Sequence, residues 1–162
     1  HALEGVEPVL TQTQQEAVIA EVRARQTMIK DRQAEAAIAI GREFLAANAL
    51  QDEVVVTASG LQHLVLEEGT GAAPLKENRV VVHYQGSLID GSIFDSSIQR
   101  GEPVEFGLAQ VIPGWTEGLQ LMKVGGKSRF FIPSDLAYGP AGTGGIPPHS
   151  VLIFDVELIE IK

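Results

Sequence analysis

Val111-Ile112-Pro113-Gly114-Trp115-Thr116-Glu117-Gly118-Leu119-Gln120-Leu121-Met122 decides how the fold is read. It opens with an apolar pair and a Pro-Gly turn, carries the one tryptophan of the chain, and continues as a short helical segment over Trp115–Met122. Pro113 suits a first helical turn, where its missing N–H would have no intrahelical partner anyway. The flanking stretches have another character. Leu61–Glu67, Arg79–Gln85, Val104–Leu108, Lys127–Ile132 and Val151–Ile161 are rich in Val, Ile and Phe and read as strands. Val80, Val82 and Tyr84 fall on one face at a period of two, as do Phe154, Val156 and Leu158. Asp90-Gly91 is a tight-turn signal. The pattern predicts an α+β domain, an antiparallel sheet of about five strands wrapped around a short helix.

Upstream the composition changes. From Thr13 to Asn48 there is no proline and one glycine, Gly41, among many Ala, Gln, Glu and Arg residues, all good helix formers. Two capping boxes are open to the start, Thr13 with Glu16 and Thr11 with Gln14. Val18, Val22, Ile29, Ala36, Ile40 and Phe44 fall within an arc of about 80° at the helical period. One long amphipathic helix of about 50 Å follows. A domain of ordinary size has a radius of gyration near 13 Å and cannot cover that length. The stripe therefore packs on its own domain, meets another helix, another subunit or a client, or stays partly exposed. Gly41 is a candidate bend, and residues 49–60 read as a linker. The division expected is an N-terminal helical arm over 1–58 and a second domain over 59–162. Residues 1–12 lack periodicity, with Gly5 and Pro8 breaking any helix.

The net charge is −9, with five basic and nine acidic side chains in residues 1–60 and seven and twelve in 61–162. No Lys/Arg cluster is present, which argues against nucleic acid as a partner. Cysteine is absent, excluding thiol catalysis, disulfides and Cys-type zinc sites. No apolar run reaches the roughly 20 residues of a membrane span, and no signal-peptide pattern opens the chain. A first residue of His rather than Met reads as a processed or trimmed N-terminus.

The histidines (His1, His63, His83, His149) have no metal-ligand spacing, and His83 alternates with valines as a strand-surface residue. There is no nucleophile elbow, phosphate loop or dinucleotide fingerprint. Gly139–Gly145 reads as a surface loop. What remains is Tyr84, Phe94, Phe106, Val111, Ile112, Trp115, Tyr138, Ile146 and Phe154, with one acid, Asp95. Trp115 and Tyr138 sit beside turns, and a carboxylate taken from water needs partners, for which Tyr84 and Arg100 are placed. No metal and no cofactor are expected.

Val82-His83-Tyr84-Gln85-Gly86, Asp90-Gly91-Ser92-Ile93-Phe94-Asp95-Ser96-Ser97, Val111–Trp115, Ala137-Tyr138-Gly139, Ile146-Pro147-Pro148 and Phe154–Leu158 resemble, in order, the FKBP-type peptidyl-prolyl cis-trans isomerases. The helix ending in Gly41–Asn48 resembles the N-terminal arm of the bacterial Mip-like branch. The resemblance implies catalysed rotation of X-Pro bonds in protein folding, without cofactor. It implies Trp115 as pocket floor; Tyr84, Phe94, Phe106, Val111 and Phe154 as walls; the Ile112 N–H and the Tyr138 hydroxyl as donors; Asp95 at the rim, held by Tyr84 and Arg100; and Ala137 and Ile146 at the entrance. Val104 stands where relatives often carry an aromatic. Implied partners are proline-containing unfolded or partly folded polypeptides and macrolide inhibitors, with a homodimeric parent and a monomeric fragment. Periplasm or outer-membrane surface is the implied compartment, cytoplasm the alternative. The rival reading is chiefly a chaperone or binding module with secondary isomerase activity.

Overall fold

The chain is described by a computed structural model over residues 11–162, so the reading of Gly5 and Pro8 lies outside the described residues. The elements are α1 (Gln12–Asn48), β1 (Val55–Val56), β2 (Gln62–Glu67), β3 (Arg79–Leu88), β4 (Ile93–Ser96), α2 (Ser97–Arg100), β5 (Val104–Gly107), α3 (Pro113–Leu119), β6 (Lys127–Ile132) and β7 (Leu152–Ile161). Two 3-10 turns, Leu108–Gln110 and Ser134–Leu136, complete them. The described chain divides between Ala36 and Ala37 into two compact units.

The first unit is the leading part of α1. Of the two capping boxes, Thr11 with Gln14 forms: the Gln14 N–H donates to Thr11 Oγ1 at 3.2 Å and the Thr11 N–H to Gln14 Oε1 at 2.9 Å. Val18, Val22 and Ile29 are 47%, 45% and 55% exposed, so the apolar stripe is open to solvent. Ile19 and Met28, also exposed, lie off the stripe.

The second unit is an antiparallel sheet in the order β1-β2-β6-β7-β3-β4, with β5 also paired to β3. The five expected strands are all present, and the sheet has seven in total. The two extra strands, β1 and β4, span 2 and 4 residues, too few to show a period. β1 lies inside the stretch read as a linker and pairs with β2 through Val56↔Gln62. Inward along β3 point Val80, Val82 and Tyr84, and along β7 Leu152, Phe154, Val156 and Leu158, all buried. Burial of such side chains is worth about 1.5–3 kcal/mol each and fixes the register.

α3 begins at Pro113 and ends at Leu119, earlier at both ends than the sequence suggests; Leu121 and Met122 close i→i+3 turns instead. At 7 residues, two of them glycine, it is far too short to persist alone. Packing holds it. A Cβ on Gly114 would stand 2.5 Å from Ile132 Cγ2, and one on Gly118 2.8 Å from Phe130 Cε1, so the helix axis lies closer to the sheet than any larger residue permits.

The end of α1 seats on this unit too. Phe44 and Phe131 rings lie 6.1 Å apart. The Asn48 amide donates to Gln62 Oε1 at 2.7 Å, and Gln62 Nε2 to the Leu45 carbonyl at 2.9 Å, a second donor to an oxygen already bonded by the Ala49 N–H. Gly41 is buried at the point where a Cβ would meet Val151 Cγ2 at 3.0 Å. Its role is close packing, where the sequence suggested a bend.

Candidate active site

One cavity of about 440 Å³ opens beside α3. Trp115 lies at its centre, with the rings of Tyr84 from β3, Phe106 from β5 and Phe154 from β7 each 5.2 Å away and steeply inclined, at 84°, 79° and 85°. Edge-to-face packing of this kind is worth about 0.5–1.5 kcal/mol per pair beyond burial. Trp115 Nε1 is buried without a hydrogen-bond partner, so packing alone fixes the indole. Val111, Ile112, Tyr138, Asp95 and Gln110 complete the lining.

Each element supplies its residues for a local reason. β3 gives Tyr84 by inward alternation, and β7 gives Phe154. β5 gives Phe106, paired with Val80. The 3-10 turn Leu108–Gln110 delivers Val111 and Ile112, and Thr116 Oγ1 ties α3 back to it by donating to the Leu108 carbonyl at 2.6 Å. Ile112 is the N-cap of α3, and its N–H takes no partner among the described residues. Tyr138 is 41% exposed at the lip.

Asp95 leaves β4 at the rim. The Tyr84 hydroxyl donates to its Oδ2, and Arg100 Nη1 donates to its Oδ1 at 2.5 Å. Arg100 Nη2 also donates to the Tyr84 oxygen at 3.2 Å, and its guanidinium stands 5.9 Å from the Tyr84 ring centre. Arg100 reaches this position because Ser96 caps α2, accepting from the Gln99 N–H at 3.2 Å. Buried Ser97 accepts from the Tyr84 N–H at 2.7 Å and locks α2 to β3. Partial burial is the largest single influence on the Asp95 carboxyl and pushes it up; the bonds from Tyr84 and Arg100 together outweigh it and hold the group below the usual carboxylate range. Burial first, then the bond to Asp95, pushes the Tyr84 phenol up. With both side chains about half exposed, 50% and 45%, the ion pair itself is worth about 0–1 kcal/mol. Its use is geometric.

Of the residues singled out from sequence, Tyr84, Asp95, Phe106, Val111, Ile112, Trp115, Tyr138 and Phe154 line this cavity. Phe94 and Ile146 line an adjoining cavity of about 220 Å³, which shares Asp95, Tyr138 and Phe154 with the first and adds Thr143 and Gly145. Ala137 lines neither; it is partly buried against the core. Val104 is also partly buried against the core. Gln110 lines the cavity and was missed; its place directly before Val111 was the only signal for it. His83 lies half-buried, as a strand-surface residue would, with Nδ1 3.0 Å from Ser97 Oγ. Among the described residues no group of His, Cys, Asp or Glu is clustered to hold a metal ion, and no helix is long and apolar enough to cross a membrane.

Comparison with known proteins identifies related chains. The family described as "FKBP-type peptidyl-prolyl cis-trans isomerase" matches residues 71–159, and "Domain amino terminal to FKBP-type peptidyl-prolyl isomerase" matches residues 1–65. The "FKBP-type peptidyl-prolyl cis-trans isomerase FkpA" of Aeromonas hydrophila is 59% identical over 122 residues, 75% of this chain; the match spans 46% of that protein, about half its length. The "Outer membrane protein MIP" of Legionella longbeachae is 43% identical over 99% of this chain and 71% of its own length. The crystal structure of FkpA from Escherichia coli superposes with a TM-score of 0.85 at 43% identity, covering 96% of this chain and 75% of that one.

Proposed function

The chain belongs to the FKBP-type peptidyl-prolyl cis-trans isomerase family, and from that premise we propose that it accelerates X-Pro rotation in folding polypeptides through the Trp115 cavity. The observation that carries the reading is an aromatic cavity whose polar groups sit only at its edge. An X-Pro bond crosses a barrier of about 18–20 kcal/mol, chiefly lost amide resonance, and unaided takes tens to hundreds of seconds. The twisted transition state has less charge separation than the planar amide. A dry wall of Tyr84, Phe106, Val111 and Phe154 over the Trp115 floor therefore disfavours the planar ground state relative to the twisted one. In this proposal Phe94 extends the wall into the adjoining cavity. The Ile112 N–H and Tyr138 hydroxyl donate to carbonyls flanking the proline, and anionic Asp95 polarises the twisting amide. Ile146 and, beside Tyr138 in the chain, Ala137 border the entrance in this reading.

Residues 1–58 form the arm and 59–162 the catalytic domain in this reading. A second role, chaperone-like client binding through the arm, is favoured by the exposed Val18, Val22 and Ile29. Macrolides that present a proline-like ring suit the same cavity. We place the protein in the periplasm or at the outer-membrane surface, on the name of the Legionella relative. Cell fractionation tests that assignment.

A protease-coupled assay on proline-containing tetrapeptides tests the activity. Asp95→Ala and Phe94→Ala are expected to lower kcat/KM about tenfold or more while circular dichroism stays native. Full activity in both folded variants overturns the assignment.

A further inference from the structure

Glu117 lines no part of the Trp115 cavity, yet both of its carboxylate oxygens are hydrogen-bonded. Its Oε2 accepts from Thr57 Oγ1 at 2.6 Å and its Oε1 from Ser59 Oγ at 2.5 Å, while those two hydroxyls lie 2.9 Å apart. The carboxylate thus bridges two hydroxyls across a separation of 58 to 60 residues. Thr57 and Ser59 occupy the turn between β1 and β2, itself closed by Thr57 donating to the Leu61 carbonyl at 2.8 Å. The turn is thus rigid enough to serve as an anchor.

α3 needs one. It is short, lacks a side-chain N-cap bond, and contains Gly114 and Gly118. Its buried face is held by Ile132 and Phe130 and its first turn by Thr116. Glu117 is the tie on the remaining side. Trp115 has no hydrogen bond to hold its ring, so its fit against Tyr84, Phe106 and Phe154 depends on where α3 carries it. The Ile112 N–H at the helix start moves with it. Charge-assisted bonds of this kind are about twice as strong as neutral ones, and two of them converge on one carboxylate.

We propose that Glu117 is a positioning residue for isomerisation: clamped by Thr57 and Ser59, it fixes α3 and through it the Trp115 floor and the Ile112 donor. The proposal rests on the isomerase reading above. It also makes the β1–β2 turn, at the junction between arm and catalytic domain, part of the site's support.

The test uses the full chain with Glu117→Ala, Glu117→Gln, the Thr57→Val/Ser59→Ala pair, and all three changes to Val, Ala and Ala together. Two quantities are read: kcat/KM on a proline tetrapeptide, and the emission maximum of Trp115, the one tryptophan of the chain. A 1 Å misplacement costs on the order of 10²-fold, so a fraction of an ångström predicts a loss of about 5–10-fold. Glu117→Ala and the hydroxyl pair should each show that loss and a red-shifted emission. The triple variant should be no worse than either, because one clamp is being removed. Glu117→Gln, which keeps an acceptor oxygen, should recover most of the activity. A lowered melting temperature with kcat/KM within twofold and unshifted emission, in both Glu117→Ala and the hydroxyl pair, reduces Glu117 to a structural residue and overturns the proposal. If the unsubstituted chain lacks isomerase activity, the function proposed above fails instead, and the emission shift still reads the clamp.

Discussion

Gly86 on β3 offers a sharp perturbation, because it lies beneath two rings. A Cβ there would stand 2.6 Å from Phe154 Cε1, 2.6 Å from Phe94 Cζ and 2.7 Å from Phe94 Cε1. Carbon atoms pack at about 3.5–4.0 Å, so Gly86→Ala forces one or both rings back by about 1 Å. Phe94 is half-buried and has room to swing; Phe154 is 6% exposed and has little. Overpacking costs about 1–3 kcal/mol, and replacing Gly by Ala in a strand returns about 0.5–1 kcal/mol. The net loss is about 0.5–2 kcal/mol, or a melting temperature lower by about 2–7 °C for a domain of this size. Activity should suffer far more. Moving Phe154 shifts the wall that touches Trp115 and should lower kcat/KM by about 10–100-fold. The comparison variant is Gly125→Ala, at φ +90° with nothing within 4 Å of its Cβ and no place in either cavity. Left-handed strain should cost it about 1–2 kcal/mol with kcat/KM within twofold. Thermal melts and the peptide assay on both variants decide. Equal activity in Gly86→Ala and the unsubstituted chain would refute the claim that these rings are held in working positions.

Two further outcomes follow from the rim and the arm. Asp95 titrates below the usual carboxylate range in the folded chain, so its anion is fully present above about pH 4 and lost only as pH falls through the lowered folded value. The kcat/KM profile should be flat from about pH 8 to pH 5, and Arg100→Ala, which removes a donor to Asp95, should move the acid fall to higher pH; an unmoved limb shows that Asp95 is not the titrating group. On the arm, Val22→Glu places a charge in the exposed stripe, where about 0–0.5 kcal/mol of stability is at stake. Tetrapeptide turnover should stay unchanged while refolding of a proline-limited protein slows, and unchanged refolding removes the client-binding role from this stripe.

Strong periodicity made the larger elements readable. β3 and β7 alternate over most of their ten residues, and α1 runs without proline, so their type and faces follow from residue order. β4 and α2 did not declare themselves, since Ile93–Arg100 mixes polar and apolar residues with no period. They form because Ser96 caps, Ser97 anchors to Tyr84, and β3 offers an edge. The cavity lining was legible through aromatics beside turns. Gln110 was not, because an amide at the end of a 3-10 turn carries no pattern, and the site's claim on it is purely spatial. Nor was the division of the aromatic wall into two adjoining cavities, which depends on how the loop after Tyr138 folds over Phe94. The Glu117 clamp joins residues far apart in sequence that only the sheet brings together.

The place of β7 has a kinetic consequence. It sits between β6 and β3 and follows every other strand in the chain. During synthesis at about 5–20 residues per second, β3 waits for its principal neighbour until the ribosome has delivered β7. In that interval Val80, Val82 and Tyr84 flank an unpaired edge, the feature that draws stray strands into aggregates. The Trp115 cavity lacks Phe154 for the same interval. A chain from a family of proline isomerases thus has a late, non-local step in its own folding.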